Sequence, residues 1–312
     1  LTYYVQGKYP RALINYFESV KINEEIGNKK GMANAYNMIG IIYQYQGGYS
    51  QSLKYCYESL KIRESFADKH NMALCRTNIG IAYSKAKNYE DALQNYELAL
   101  NIYKEENDKK NIAGTYVNTG NNYKYQKKYE KALENYTLAK PIFQEIKDKR
   151  SLISTVTSIG EVQRQLGNFE AASFALDEAM ILAPDVNNNM SYATLYGDLA
   201  DLYIKKSEKA TSKADRELFN TKGEEYLKNC MKYYKITNSL SDKLLFYESS
   251  IELDSIKGDF KQAFEDTKLL MDCKLEMKDE DYVKKADLLK VQYELELKEQ
   301  EAKIEEEKKQ KK

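Results

Sequence analysis

The sequence predicts an all-α fold built from stacked helix pairs. Three observations predict it: a repeat with a period of forty residues, apolar positions spaced as on amphipathic helices, and few turn-forming residues. Only three of the 312 residues are proline and fourteen are glycine, which is low for a sheet protein of this length. Fixed repeats of about 20 to 50 residues are typical of supersecondary units that stack side by side.

The repeat appears when the chain is written in rows of forty residues. One column holds Gly40, Gly80, Gly120, Gly160 and Ala200. The aromatic columns hold Tyr43, Tyr83, Tyr123 and Tyr203, with Gln163 as the exception, and Tyr9, Tyr49, Tyr89, Tyr129 and Phe169. Small and aliphatic columns hold Ala12, Ser52, Ala92, Ala132 and Ala172, and Ile22, Ile62, Ile102, Ile142 and Leu182. Chance does not produce so many columns in register.

Each repeat is predicted to contain two helices, called helix A and helix B. In residues 71–110, helix A covers about 73–85 and helix B about 89–105, with a short polar turn between them. The apolar and small residues of helix B recur with the spacing of an amphipathic helix. Junction residues suited to capping the next helix A are Asn28, Asp68, Asp108, Asp148 and Asn188. Because one pair cannot bury its apolar stripe alone, neighbouring pairs must share a core.

The glycine column indicates close helix packing. Glycine inside a helix is about 1 kcal/mol less favourable than alanine, so Gly80 needs a compensating contact. We expect Gly80 and Ala92 to let helix A and helix B approach closely, with Tyr83 and Tyr89 filling the space beside the crossing.

These columns resemble the tetratricopeptide repeat. The matching residues are Gly40, Tyr43, Gly47, Tyr49, Ser52 and Ser59 in one copy and Gly80, Tyr83, Tyr89, Ala92 and Ala99 in the next. The usual period of that family is about 34 residues, so helix B and the junction are longer here. The resemblance covers nearly the whole chain. It implies a right-handed α-α superhelix of six to seven helix pairs with a long C-terminal helix.

The repeat register sets the expected boundaries. The units lie near 1–30, 31–70, 71–110, 111–150, 151–190, 191–240 and 241–280. Asn188 and Asp242, which hold equivalent junction positions, are 54 residues apart instead of forty, so about fourteen residues are inserted in this part of the chain. We assign an exposed insertion, helical or disordered, to 205–222. Residues 281–312 are predicted to form a long charged helix that caps the array or starts a coiled coil. The chain starts in mid-pattern at Leu1, and we interpret it as a fragment.

The composition favours a binding protein over an enzyme. The 48 basic and 48 acidic residues balance, which gives no electrostatic case for direct nucleic-acid binding. The sequence contains no glycine-rich phosphate loop and no hydrolase or metalloprotease motif, and the four cysteines form no CxxC pair. We therefore expect no catalytic residue, no metal and no cofactor. We interpret His70 as a surface residue rather than a general base, and Cys56 and Cys75 as buried thiols rather than a disulfide.

The resemblance also implies a binding surface. In tetratricopeptide proteins, helix A residues line a concave groove that holds an extended peptide or a partner's helix. By position, the groove candidates are Asn34, Asn37, Gln44, Tyr45, Thr77, Ser84, Lys85, Asn118, Asn121, Lys124, Tyr125, Ser158, Glu161 and Arg164. Such side chains can hydrogen-bond a peptide backbone. The alternative is that they are simply hydrated helix faces. The basic carboxylate clamp of chaperone-binding members is not implied, because Glu161 lies among the basic positions.

Two functions remain open at this stage. The first is the input or interaction module of a signalling or transcription-regulatory protein. The array and its charged C-terminal helix resemble regions of Bacteroidetes-type membrane-tethered sensors and two-component regulators. That hypothesis places the array in the periplasm, with a membrane span beyond Lys312. The second is a stand-alone cytoplasmic adaptor or peptide-responsive regulator, similar to Rap-type and kinesin-light-chain-type arrays. Both bind a protein or peptide partner, and the C-terminal helix invites homodimerisation.

Overall fold

The structure, a computed structural model, describes residues 9–186 and 189–278. All regular elements in these ranges are helical, which confirms the predicted all-α class. The helices are α1 (Tyr9–Glu25), α2 (Lys29–Tyr45), α3 (Tyr49–Glu64), α4 (Lys69–Lys85), α5 (Tyr89–Glu105), α6 (Lys109–Tyr125), α7 (Tyr129–Glu145), α8 (Lys149–Gln165), α9 (Phe169–Leu182), α10 (Asn189–Lys209), α11 (Lys213–Thr237), α12 (Leu240–Lys257) and α13 (residues 260–278). A short 3-10 helix, Ala183–Val186, follows α9.

The described helices fall into two compact units. Unit 1 contains α1 to α5, and unit 2 contains α6 to α13. Within unit 1 each helix packs against the next one along the chain. Within unit 2 the same is seen from α6 to α12, and α10 also packs against α12. This consecutive packing is the arrangement of helix pairs that the repeat predicts. The helix predicted for 281–312, and the homodimer hypothesis that depends on it, lie outside the described residues.

Left-handed residues separate the helices at a spacing of twenty residues. The residues at positive φ in these turns are Gly27, Gly47, Ala67, Lys87, Asn107, Lys127, Lys147 and Gly167. A left-handed residue just past a helix end stops the helix and turns the chain. The turn from helix A to helix B therefore has the same backbone form as the turn from helix B to the next helix A. Sequence columns alone did not reveal this half-period, because most of these residues are not glycine.

Two junction residues cap the following helix as expected. The Asn28 side chain accepts a hydrogen bond from the Gly31 amide at 3.0 Å, and Asp148 accepts one from the Ser151 amide at 3.1 Å. Asp68 occupies the same position before α4 but does not cap that helix with its side chain. Its carboxylate instead accepts hydrogen bonds from Arg63, at 2.9 Å, and from Asn71.

The glycine column lies at the closest approach of each helix pair. A Cβ on Gly80 would lie 2.5 Å from the Tyr96 ring, and a Cβ on Gly120 would lie 2.6 Å from the Tyr136 ring. Only glycine permits such an approach, so the expected packing role is confirmed. The corresponding pairs in other repeats are Gly40 with Cys56 and Gly160 with Leu176.

The aromatic side chains that fill this space differ from those expected. Tyr83 and Tyr89 are only half-buried, whereas Tyr96 and Tyr136 on helix B are buried. The helix B rings lie directly over the glycine, because they project from the helix that faces it. Tyr83 packs as a partly buried ring against the core cluster of Cys56, Leu60, Cys75 and Ile79.

The residues assigned to the insertion extend two helices. α10 runs to Lys209 and α11 starts at Lys213, so most of 205–222 is helical. Ser212 caps α11 by accepting a hydrogen bond from the Asp215 amide at 3.0 Å. Aromatic contacts hold the lengthened pair together. The Tyr192 and Tyr233 rings are stacked with their centroids 5.1 Å apart, and the Tyr203 and Tyr226 rings pack at a tilt with their centroids 5.5 Å apart.

The four cysteines are buried free thiols. Cys56 and Cys75 form no disulfide, which confirms the interpretation as buried thiols. Burial and the nearby Cys75 raise the pKa of the Cys56 thiol to about 12, and burial raises that of Cys230 to about 12 as well. Because the thiolate is the reactive form, the Cys56 and Cys230 side chains are protected by both burial and protonation.

We therefore expect a thiol reagent to modify none of the four cysteines in the native chain at pH 8 and all four in denaturant. A colorimetric thiol assay measures the difference. Ser50→Cys is the positive control, because Ser50 is exposed on α3 and its replacement adds one native-reactive thiol. Rapid modification of a natural cysteine in the native chain would contradict the burial seen here.

Candidate functional site

The groove candidates of unit 1 are mostly engaged with neighbouring helices. Asn37 on α2 accepts a hydrogen bond from the Asn78 side chain on α4 at 3.0 Å. Gln44 donates to the backbone oxygen of Asn78 at 2.7 Å. Thr77 donates to the Ala73 backbone oxygen at 3.0 Å. These polar side chains connect one helix A to the next or bond within their own helix, so they serve the scaffold.

Asn34 is held by a buried arginine that the sequence analysis missed. Arg63 is 3% exposed and donates to Asn34 at 2.6 Å and to Asp68 at 2.9 Å. The repeat places Tyr103 in the same column, so Arg63 is a polar replacement for a buried ring. Burial raises the pKa of Asp68, but hydrogen bonds from Asn71 and the Arg63 charge outweigh it and hold that pKa below its ordinary value.

In unit 2 a ladder of ion pairs joins successive A helices. Lys124 on α6 pairs with Glu161 on α8 at 2.7 Å. Arg164 on α8 pairs with Asp201 on α10, and Lys205 on α10 pairs with Glu252 on α12. Each rung runs from a cation on one helix A to a carboxylate on the next. Lys124, Glu161 and Arg164 are among the predicted groove residues, but the repeat columns do not show that they bond to each other or to α10.

The fourteen groove candidates differ in their exposure to solvent. Asn34, Tyr45, Lys85 and Tyr125 are exposed, and Asn37, Gln44, Thr77, Asn118, Asn121, Lys124, Ser158, Glu161 and Arg164 are partly exposed. Ser84 is buried, at 5% exposure, and is not a surface position as expected. In the same column Gln44, Lys124 and Arg164 carry longer side chains, and these are partly exposed where the short serine is not.

Two further candidates of unit 2 bond inside the fold. Asn121 accepts a hydrogen bond from the Tyr136 hydroxyl at 2.7 Å, which fixes the ring opposite Gly120. Ser158 donates to the Ser154 backbone oxygen at 3.0 Å. Asn118 differs from both. It is partly exposed, and its side chain has no hydrogen bond to any described residue.

Asp198 on α10 is the most unusual side chain on this face, and the sequence analysis did not name it. It continues the column of Asn118 and Ser158 by one row, and that column is the signal that could have found it. Asp198 is 9% exposed and forms no hydrogen bond or ion pair with the described residues. Burial, with the nearby Glu161 charge, raises the pKa of its carboxyl to about 7.

His70 belongs to unit 1 and lies at the start of α4. Its Nδ1 atom is 2.8 Å from a carboxylate oxygen of Glu106, and its side chain is 44% exposed. Among the described residues no group of three His, Cys, Asp or Glu side chains is arranged to hold a metal ion. Over the same ranges, the helices include none with an apolar stretch long enough to cross a membrane.

A comparison with protein families gives a match within unit 1. Residues 31–105 match the family described as the Tetratricopeptide repeat. The fold is a tetratricopeptide fold. A comparison with curated protein sequences gives no match.

Solved structures share this tetratricopeptide fold over most of the chain. The apo form of RapI aligns with a TM-score of 0.60 at 18% identity, covering 86% of this chain and 99% of RapI. A Rap protein complexed with competence and sporulation factor aligns with a TM-score of 0.65 at 16% identity, covering 89% and 73%. A plasmid Rap conjugation gene regulator in complex with a Phr peptide aligns with a TM-score of 0.58 at 17% identity, covering 89% and 72%. At these identities the likeness concerns the fold alone.

Proposed function

We propose that the helix A face of unit 2 binds an extended peptide segment, either free or part of a partner protein. This face comprises Asn118, Ser158 and Asp198 with the ladder pairs Lys124–Glu161 and Arg164–Asp201. The observation that carries the proposal is the Asn118 amide, which has no hydrogen bond to any described residue. It lies in a row of polar side chains beside the ion pairs Lys124–Glu161 and Arg164–Asp201. An amide offers both a donor and an acceptor, as a peptide backbone requires.

The solved structures support the class of ligand. Two of the Rap structures that share the fold are complexes, one with competence and sporulation factor and one with a Phr peptide. We extend to this chain only the statement that a tetratricopeptide face takes a protein or peptide ligand. We propose binding rather than catalysis. The charged side chains of the helix A face form ion pairs with each other, and the Asn118 amide can form hydrogen bonds with a peptide backbone.

The proposal also concerns the kind of protein to which this binding face belongs. We favour the input module of a signalling or transcription-regulatory protein, because a charged segment, 281–312, follows the repeats. The alternative is a stand-alone adaptor or peptide-responsive regulator. Sequencing the gene on both sides distinguishes them: an upstream secretion signal with an apolar span and an output domain downstream supports the first. A stop codon soon after Lys312 with no upstream signal supports the second.

Peptide selection tests the binding itself. The purified chain is used to select from a phage library of short randomised peptides, and enriched peptides are synthesised and measured by isothermal titration calorimetry. We expect Asn118→Ala to weaken binding about fivefold, as expected for the loss of about 1 kcal/mol of hydrogen bonding. The matched control is Asn135→Ala, since Asn135 lies on helix B and bonds within its own helix.

Two results would contradict the proposal. The first is a selection that enriches no peptide above background. The second is an enriched peptide whose affinity falls equally for Asn118→Ala and Asn135→Ala, because binding would then not involve the helix A face.

A further inference from the structure

Asp198 carries a buried carboxyl group that has no hydrogen-bond or ion-pair partner in the part of the chain that the structure describes. The equivalent positions on α6 and α8 hold the neutral side chains of Asn118 and Ser158. On α10 the carboxyl is 9% exposed and has neither a hydrogen bond nor an ion pair among the described residues. A buried ionisable group without a partner is destabilising, and such groups are concentrated at functional sites.

The charges around Asp198 do not balance. The groups that face it are Lys124 on α6, Glu161 and Arg164 on α8, Asp201 on its own helix, and the Cys230 thiol on α11. Both cations already have a carboxylate partner. Lys124 lies 2.7 Å from Glu161, and Arg164 pairs with Asp201. Three carboxyl groups thus share two cations, and Asp198 is the one left over.

The position of Asp198 makes this imbalance relevant to binding. Its neighbours Lys124, Glu161 and Arg164 are partly exposed members of the helix A face. A ligand that lies along that face therefore passes the Asp198 carboxyl, which has no cationic partner among the described residues. A charge-assisted hydrogen bond in a partly desolvated place is stronger than one in water.

We propose that Asp198 binds a cationic group of the peptide, namely an arginine or lysine side chain or the amino terminus. The inference rests on the proposed peptide binding by the helix A face and adds the chemistry of one subsite. The incoming cation supplies the missing positive charge. The two ladder pairs on either side keep their own partners and fix the position of the site.

Binding of a cation to Asp198 is coupled to release of a proton. In the free chain the Asp198 carboxyl is about half protonated near pH 7, because burial disfavours its charged form. The bound cation favours the charged form, so the proton leaves to solvent. The affinity for a cationic peptide therefore rises from pH 6 to pH 8, and the binding enthalpy depends on the ionisation enthalpy of the buffer.

The experiment uses peptides enriched on the wild-type chain. We expect each to carry an arginine or lysine at a fixed position or to need a free amino terminus. Replacing the arginine by citrulline, the lysine by norleucine, or acetylating the terminus is expected to weaken binding to the wild type at least tenfold. The three changes identify which cation is bound. Asp198→Asn is expected to bind the charged and neutral versions equally and to show no proton release.

The control variant is Asp272→Asn, because Asp272 is exposed on α13 and lies outside the ladder. It should keep the preference for the cation. Peptides that bind with the same affinity in charged and neutral forms, to both wild type and Asp198→Asn, would overturn the Asp198 subsite and leave peptide binding intact. A selection that enriches no peptide would overturn both proposals. The neutral peptides are tested on the wild-type chain, so the result does not depend on the stability of a variant.

Discussion

Asp198→Asn is expected to stabilise the folded chain at pH 8 and to change its stability little at pH 4. The ordinary pKa of an aspartate is 3.8, and burial raises that of Asp198 to about 7 in the folded chain. Between these values the folded state holds a proton that the unfolded state has lost. Stability therefore falls as pH rises across this window, by about 1.4 kcal/mol per pH unit and at most about 4 kcal/mol in total. Below pH 4 both states are protonated and the difference vanishes.

Urea denaturation at pH 4, 6 and 8 measures this effect. The wild-type free energy of unfolding should fall relative to that of Asp198→Asn between pH 4 and pH 8. Asp272→Asn removes a carboxylate from an exposed position and should follow the wild type. If the difference between wild type and Asp198→Asn were the same at all three pH values, Asp198 would titrate as an ordinary exposed aspartate.

The stability and binding effects of Asp198→Asn have opposite signs. The variant gains stability above pH 7 and loses its preference for a cationic peptide. A substitution that merely damaged the fold would lower both. Binding residues that reduce the stability of the free protein are expected where function requires a buried charge.

Gly120→Ala is expected to destabilise the chain by about 1 to 3 kcal/mol, as overpacking does. The new Cβ would lie 2.6 Å from the Tyr136 ring. That ring is fully buried, and its hydroxyl donates to Asn121 at 2.7 Å, so it cannot move aside without losing the hydrogen bond. We therefore expect α6 to shift relative to α7 to relieve the clash.

Gly114→Ala is the matched control on the same helix. A Cβ at Gly114 has no other group within 4 Å. The alanine there should stabilise by about 0.4 to 1 kcal/mol, because it reduces the freedom of the unfolded chain without a clash. Urea denaturation of the two variants should give opposite signs. If both variants had a higher free energy of unfolding than the wild type, helix propensity and not the Tyr136 contact would control both positions.

A double-mutant cycle assigns the Gly120 effect to its neighbour. In a Tyr136→Ala background the ring is gone, so Gly120→Ala should no longer destabilise. The coupling energy between the two sites should then be about as large as the single effect of Gly120→Ala. A coupling energy near zero would place the clash elsewhere.

The helix pairs, their period and the role of the glycine column all follow from the amino-acid sequence. These features depend on local rules that repeat every forty residues: the spacing of apolar residues, the capping residues and the small side chains at helix crossings. The repeat predicts that the glycine column serves helix packing, and the contacts of Gly80 with Tyr96 and of Gly120 with Tyr136 confirm it.

Which polar residues are available to a ligand depends on the tertiary structure. Asn37 and Asn118 look alike in the sequence, yet Asn37 is bonded to Asn78, while Asn118 has no hydrogen bond to any described residue. Several hydrogen-bond partners on the A helices come from the next repeat: Glu161 is 37 residues after Lys124, and Asn78 is 41 residues after Asn37. A column shows what each residue is, but not which neighbour bonds to it. Asp198 is the clearest case, because only the packed structure shows that it has no hydrogen-bond or ion-pair partner among the described residues.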